Sequence, residues 1–424
     1  MVLLSTLMHM CKFLKGRLIF VRLTLLAAAA ALLAIGIATI YAVGNPAQLS
    51  PACKSEVLAN LWKKQLLFAV IALMVFIAVN MVNYRRLGPL SYWIYMCVLL
   101  LLVLLLVSRY IVPLPFVPAR NGTHRWIIFK IAGSNLPAIQ PSEICKLAYI
   151  LALAWYLRYR SNYRNFKAIV GPFVLTLLPM LLIILEPDLG TVLLMMPVFL
   201  VMLYFAGAKV KHLLIIITLA ILVSPLMWHF MKPYQRTRIT SVLLQSSWIR
   251  EKAEQHKTLG EILVGKNFTT KQWKNDWGYH LIRSKFAIAS GGMTGYGFRQ
   301  GPFIKYDFLP ARHNDFILAA IAQQWGFLGC AALLALYAII FACAWEIAQN
   351  NTDPFGRMLA AGILAIFAVE VIVNVSMTLG LMPITGLTLP LVSYGGSSLL
   401  VSMAALGLLN NIGRCRPFSV APKP

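Results

Sequence analysis

Apolar runs separated by short polar links, many of them carrying Arg or Lys, fill almost the whole chain, and the length of those runs decides its class. A helix needs about 20 apolar residues to cross the hydrocarbon of a bilayer. Runs of about that kind fall at 22–43, 65–82, 92–107, 142–159, 171–185, 191–206, 212–231, 315–345, 358–379 and 389–412. They predict an all-α polytopic membrane protein of about ten transmembrane helices, one integral domain over 1–424. The longest interval between runs, 232–314, is expected as a long extracytoplasmic loop too short and too polar to bury much core of its own.

Composition agrees with that class. Hydrophobic residues make up 60% and charged residues 12% of 424, whereas soluble domains carry about 25% charge. Lysine and arginine mark one side of the membrane. Lys12, Lys15 and Arg17 precede the first run, Arg85 and Arg86 follow the second, Arg158, Arg160, Arg164 and Lys167 the fourth, Lys209 and Lys211 the sixth, and Arg414 and Arg416 the last. Both termini are therefore expected in the cytoplasm, with no cleavable signal peptide, because the basic start leads into a run of full length.

The net charge of +25 exceeds what topology asks for. Interval 232–314 is itself basic, with Arg236, Arg238, Lys285 and Arg312 among its cations. An anionic partner follows, and in that compartment phosphate groups of lipids or of a lipid-linked diphosphate fit better than nucleic acid; anchoring on anionic headgroups is the plainer alternative. The cysteines, Cys11, Cys53, Cys97, Cys145, Cys330, Cys343 and Cys415, have no metal-ligand spacing. No fixed-period repeat is visible, which argues against transporter folds built from two matching halves.

Ionisable groups inside spans are costly and usually face a partner or a cavity. Glu143 and Lys146 stand one helical turn apart, while Glu370, Asn374 and Thr378 recur every four residues along one stripe. A local salt bridge and helix–helix hydrogen bonds are the ordinary readings. Glu186 and Asp188 share a tight turn, where they can hold a divalent cation such as Mg or Mn, cap the next helix or pair with arginines. Gly395 and Gly396 begin a small-residue run through Ser397 and Ser398 that either packs helices or exposes backbone to a ligand. Asp315, at the mouth of the eighth run after Arg312, His313 and Asn314, is either a helix cap or a carboxylate delivered to the membrane edge for chemistry.

Seven motifs in order carry a family resemblance: THRWI at 123–127, QPSE at 140–143 with Lys146, EPDLGT at 186–191, YQRTRI at 234–239, GYH…SK…AIASGG at 278–292, LP…HNDF at 309–316, and MPITG…SYGGSS at 382–398. Over nearly its whole length the chain resembles the SEDS proteins of shape, elongation, division and sporulation, and their RodA-like branch most. The resemblance implies a SEDS-like fold and a peptidoglycan glycosyltransferase that polymerises lipid II beside a class B penicillin-binding protein. It also implies that Asp315 is the general base, with Arg125, Lys146, Arg236, Arg238 and Lys285 as candidates for the diphosphate and Glu143, Asn374 and Ser397 lining the substrate. A lipid II flippase and a non-catalytic scaffold for the transpeptidase are the other readings. Two departures stand out: Ala311 after LeuPro, and Gln323, Gln324 and Trp325 before the next Gly, positions where relatives often carry carboxylates. Fewer nearby acids would let Asp315 ionise more readily. They also put cation binding and the contact with the transpeptidase in question.

Overall fold

The computed structural model describes residues 18–46, 56–119, 123–128, 130–131, 134–135, 138–159, 166–265, 268–306, 308–309 and 312–415. Lys12, Lys15, Arg17, Arg160, Arg164, Lys266, Ala311, Arg416, Cys11 and Cys53 lie outside the described residues.

Among the described residues, ten apolar helices form the body: α1 (Ile19–Gly44), α2 (Leu61–Met81), α3 (Tyr84–Tyr110), α4 (Pro141–Leu157), α5 (Val170–Leu185), α6 (Leu189–Phe205), α7 (Val210–Phe230), α8 (Ile317–Gln349), α9 (Pro354–Leu379) and α10 (Gly396–Arg414). Seven are long and apolar enough to cross a membrane; α4, α5 and α6 have 17, 16 and 17 residues. The chain is an integral membrane protein. Helix α9 is its axis, buried over most of its length and packed on α4, α6 and α8, whereas α2 and α7 turn Leu66, Leu67, Met74, Leu214, Ile221 and Leu222 outward. Exposed apolar faces of this extent are stable against lipid rather than water.

Both ends of the described chain meet at one end of the bundle. Arg22 of α1 donates to Asn410 of α10 (2.9 Å), and Asn410 and Asn411 bond onward to Asn80 and to the Val82 carbonyl. Arg85 and Arg414 lie at the same end, the first 3.7 Å from Asp353 and the second donating to the Asn80 carbonyl. At the other end Arg299 of the long interval donates to the Asn45 carbonyl beyond α1.

Three predicted boundaries change. The third run starts eight residues early, at Tyr84, because the Asn83 side chain caps α3 by accepting from the Arg85 amide. The last run yields a helix only from Gly396; residues 381–395 fold back between the helices without forming one. Gly36 of α1 and Gly190 of α6 allow that approach, since a Cβ on either would stand 2.5 Å from the Val392 carbonyl oxygen or 2.7 Å from that of Thr385. Irregular backbone at membrane depth requires such enclosure.

The eighth run is broken at Gly326, whose φ of 62° and ψ of −158° are not helical. Residues 291–297 fill the break: the Gln323 and Gln324 carbonyls accept from Tyr296 and Gly297, and the Phe327 and Leu328 amides donate to Gly292 and Met293. Four backbone groups at the kink thus find partners in a glycine-rich segment. Only a side-chain-free residue fits there, for a Cβ on Gly326 would lie 2.5 Å from backbone atoms of Met293 and Gly295. Gly326→Ala should therefore cost about 1–3 kcal/mol, visible as a lowered unfolding temperature of the detergent-solubilised protein; an unchanged melt would refute the packing described.

The long interval also departs from expectation. Its helices Pro233–Leu243, Ser247–Gln255, Lys257–Val264 and Thr270–Asn275 enclose a small core of Leu244, Ala253, Val264, Phe268 and Trp273. Short amphipathic helices pool apolar faces that none could bury alone. The following helix, Tyr279–Gly291, packs on α8 and α9 and so joins this subdomain to the body.

Candidate active site

Asp315 sits in the turn before α8, half-buried. It is not a helix cap: the N-cap is Phe316, without a side-chain cap bond. Among the described residues its carboxylate has no hydrogen-bond or ion-pair partner. Its main chain, by contrast, is tightly held. Asn374 of α9 donates to the Asp315 carbonyl (3.1 Å) and to that of Leu387 (2.7 Å), Ser393 donates to the Asn314 carbonyl (2.7 Å), and the Tyr394 amide donates to the His313 carbonyl (2.8 Å). The folded-back segment thus clamps the turn from below, and Gly386 leaves room above the carboxylate, where a Cβ would stand 3.6 Å from Oδ2.

Electrostatics suit a base. Burial pushes the Asp315 carboxyl up to about 6, with Arg238 pulling against it. Gln323 and Gln324 take no part in this. The acid-poor surroundings do not lower the carboxyl, because desolvation and not like-charge repulsion governs it. Gln324 instead accepts from the Arg299 amide (3.1 Å), and Gln323 is fully buried beside Gly301. Arg238 is exposed and, among the described residues, has no carboxylate partner. His280 stacks on Phe316 with ring centres 6.1 Å apart and is shifted toward the neutral form by burial and by Arg238. Sequence reasoning missed His280, although the GYH motif contains it.

The other candidates separate. Lys146 reaches Glu370 (2.5 Å) and Glu143 (2.7 Å) in the interior between α4 and α9, a triad already neutralising its ammonium. Arg236 donates to the His229 carbonyl, Lys285 to Gln245, and Ser397 to the Ala138 carbonyl while accepting from the Gln140 amide. Of the predicted stripe, Glu370 joins the triad and Asn374 positions Asp315, whereas the Thr378 hydroxyl bonds within its own helix.

Arg125 wraps the turn between α5 and α6, donating to the Glu186 (2.8 Å) and Pro187 carbonyls and lying 3.9 Å from Asp188. Asp188 accepts from Ser142, Gln140 and Thr191. Burial, reinforced by Asp188 and opposed by Arg125 and Arg109, pushes the Glu186 carboxyl up to about 9. Asp188, the second carboxylate of this turn, is thus already engaged by these donors and by Arg125. Among the described residues, no three His, Cys, Asp or Glu converge as a ligand set.

Among the described residues, ten apolar helices carry a turn whose carboxylate is held through its backbone, has no side-chain partner and lies within electrostatic reach of Arg238, which defines an integral membrane protein with a polar site at the mouth of a helix. The chain belongs to the cell cycle protein family that takes in FtsW, RodA and SpoVE, whose pattern it matches over residues 22–416. It is 32% identical over 430 residues to the peptidoglycan glycosyltransferase RodA of Treponema pallidum, covering 90% of this chain and 95% of that protein. It is 35% identical over 293 residues to the peptidoglycan glycosyltransferase MrdB of Escherichia coli, covering 69% and 71%. Among solved structures, it resembles a chain of a peptidoglycan synthase complex that coordinates polymerization and crosslinking, with a TM-score of 0.67 and 29% identity over 92% of this chain and 96% of that one. The rod shape determining protein RodA of Thermus thermophilus gives a TM-score of 0.58 and 26% identity, with 92% and 95% covered.

Proposed function

We propose that the chain is a peptidoglycan glycosyltransferase that polymerises lipid II. The observation that carries this reading is the Asp315 carboxylate: held through its backbone, without a side-chain partner among the described residues, raised to about 6 and within electrostatic reach of Arg238. A general base works best with a pKa near the working pH.

In this mechanism Asp315 takes the proton from the acceptor GlcNAc 4-hydroxyl as its oxygen attacks the anomeric carbon of the donor MurNAc. The bond from that carbon to the diphosphate oxygen breaks on the opposite face, inverting an α-linkage into a β-1,4 bond. Arg238 stabilises the negative charge gathering on the departing undecaprenyl diphosphate. The proton ends on Asp315 and passes to water.

The same reading puts Asp315 and the long interval outside the cytoplasm and both termini inside, supported by Arg85 and Arg414 clustering at the termini end. A class B penicillin-binding protein is the partner it implies, supported by the likeness to a peptidoglycan synthase complex chain.

Purified protein with that partner should convert lipid II into glycan strands. Because only the ionised base accepts a proton, the rate should rise with pH, pass half-maximum near 6 and level off above neutrality. A rate that falls across that window overturns the role of Asp315. Transbilayer movement of lipid II with no strand formed would make the protein a flippase, and partner binding with neither activity would make it a scaffold.

A further inference from the structure

Coupling two lipid-linked disaccharides brings two diphosphates to one protein, and chemistry fixes where each must be. The donor's diphosphate is bonded to the reacting anomeric carbon and so lies at the base. The acceptor's lies at the far end of its own disaccharide, two sugar rings from the hydroxyl that reacts. A single cationic patch cannot serve both.

The structure has a second cationic patch, at the turn between α5 and α6. Arg109, in the last turn of α3, donates to the Leu185 carbonyl (2.8 Å) and packs over Tyr110; most of its donor fork stays available. Arg125 reaches the same turn at the Glu186 and Pro187 carbonyls. Two guanidiniums therefore meet on one turn, where burial pushes the Glu186 carboxyl up and Asp188 lies 3.9 Å from Arg125. This turn is coupled to the base through backbone: Gly190 packs on the Thr385 carbonyl, and the next residue, Gly386, faces the Asp315 carboxylate. Tyr234 lies within electrostatic reach of Arg109, Arg125 and Arg238 together, whereas of these arginines only Arg238 acts on Asp315.

We propose that Arg109 and Arg125 form an acceptor diphosphate subsite distinct from the donor subsite at Arg238. The assignment rests on the glycosyltransferase reading and gives each cation group one substrate. Arg109 belongs to none of the motifs that mark the family resemblance, so it is the discriminating residue.

The test uses the full-length protein with its partner and two substrates varied separately: a lipid II analogue whose anomeric oxygen is replaced by a non-cleavable methylene, able to act only as acceptor, and one whose GlcNAc 4-hydroxyl is blocked, able to act only as donor. Arg109→Gln should raise the KM for the acceptor about tenfold, the usual loss of one charge-assisted bond, and leave the KM for the blocked donor unchanged. Arg238→Gln should do the reverse. Arg109→Lys, which keeps the charge, should recover much of the acceptor affinity, as a residue needed only to tie the turn would not. The proposal is overturned if Arg109→Gln shifts both constants equally, shifts only the donor's, or shifts neither. Failure of wild type to join the two substrates would instead overturn the glycosyltransferase reading itself.

Discussion

Asp315→Asn should lower strand formation by about 10²- to 10⁴-fold, the range for losing a general base, while the protein folds and melts as before. Asparagine keeps the shape of the side chain and cannot take a proton at neutral pH. The fold should tolerate it because the groups holding this turn, Asn374, Ser393 and the Tyr394 amide, bind main-chain carbonyls and not the carboxylate. The loss should therefore appear in kcat with KM little altered. Strand synthesis measured on purified wild type and variant decides the matter: a variant keeping more than about a tenth of the rate would assign the base elsewhere, below the least effect expected of such a group.

Lys146→Met should have the largest effect on stability. It would leave Glu143 and Glu370, both buried and both now within 2.7 Å of the Lys146 ammonium, facing each other without a cation. Breaking a buried ion pair in this way costs roughly 3–5 kcal/mol. Replacing all three, Lys146→Met with Glu143→Gln and Glu370→Gln, removes the uncompensated charge and should restore most of the loss. Thermal unfolding in detergent and strand synthesis, measured on the single and triple variants, separate two roles. If the triple variant melts normally and still polymerises, the triad joins α4 to α9 and does nothing more. If Lys146→Met melts like wild type yet cannot use donor, the diphosphate role expected from sequence is restored.

The triad also shows what was legible in advance. Glu143 and Lys146 form a local pair because residues one helical turn apart must share a face, and Glu370 was recognisable as an ionisable group inside an apolar run. That Glu370 supplies the second partner was not legible, since residues 146 and 370 meet only when α4 packs on α9. Asn374 was read as lining the substrate; its amide instead fixes the Asp315 backbone, a role set by the folded-back segment at 381–395. Arg109 and His280 escaped notice for a related reason. Each looks ordinary among its neighbours and gains meaning only from the turn or ring it lies against.

Membrane class, helix number and the placing of both ends of the described chain at one end of the bundle come from the chain alone, because hydrophobic run length and charge between runs answer to the bilayer before any tertiary contact forms. The break at Gly326, the irregular segment before α10 and the core of the long interval were decided by packing. An apolar run has the same composition whether its backbone bonds close within one helix or are completed by a distant strand, and only the assembled bundle shows which partner each amide found.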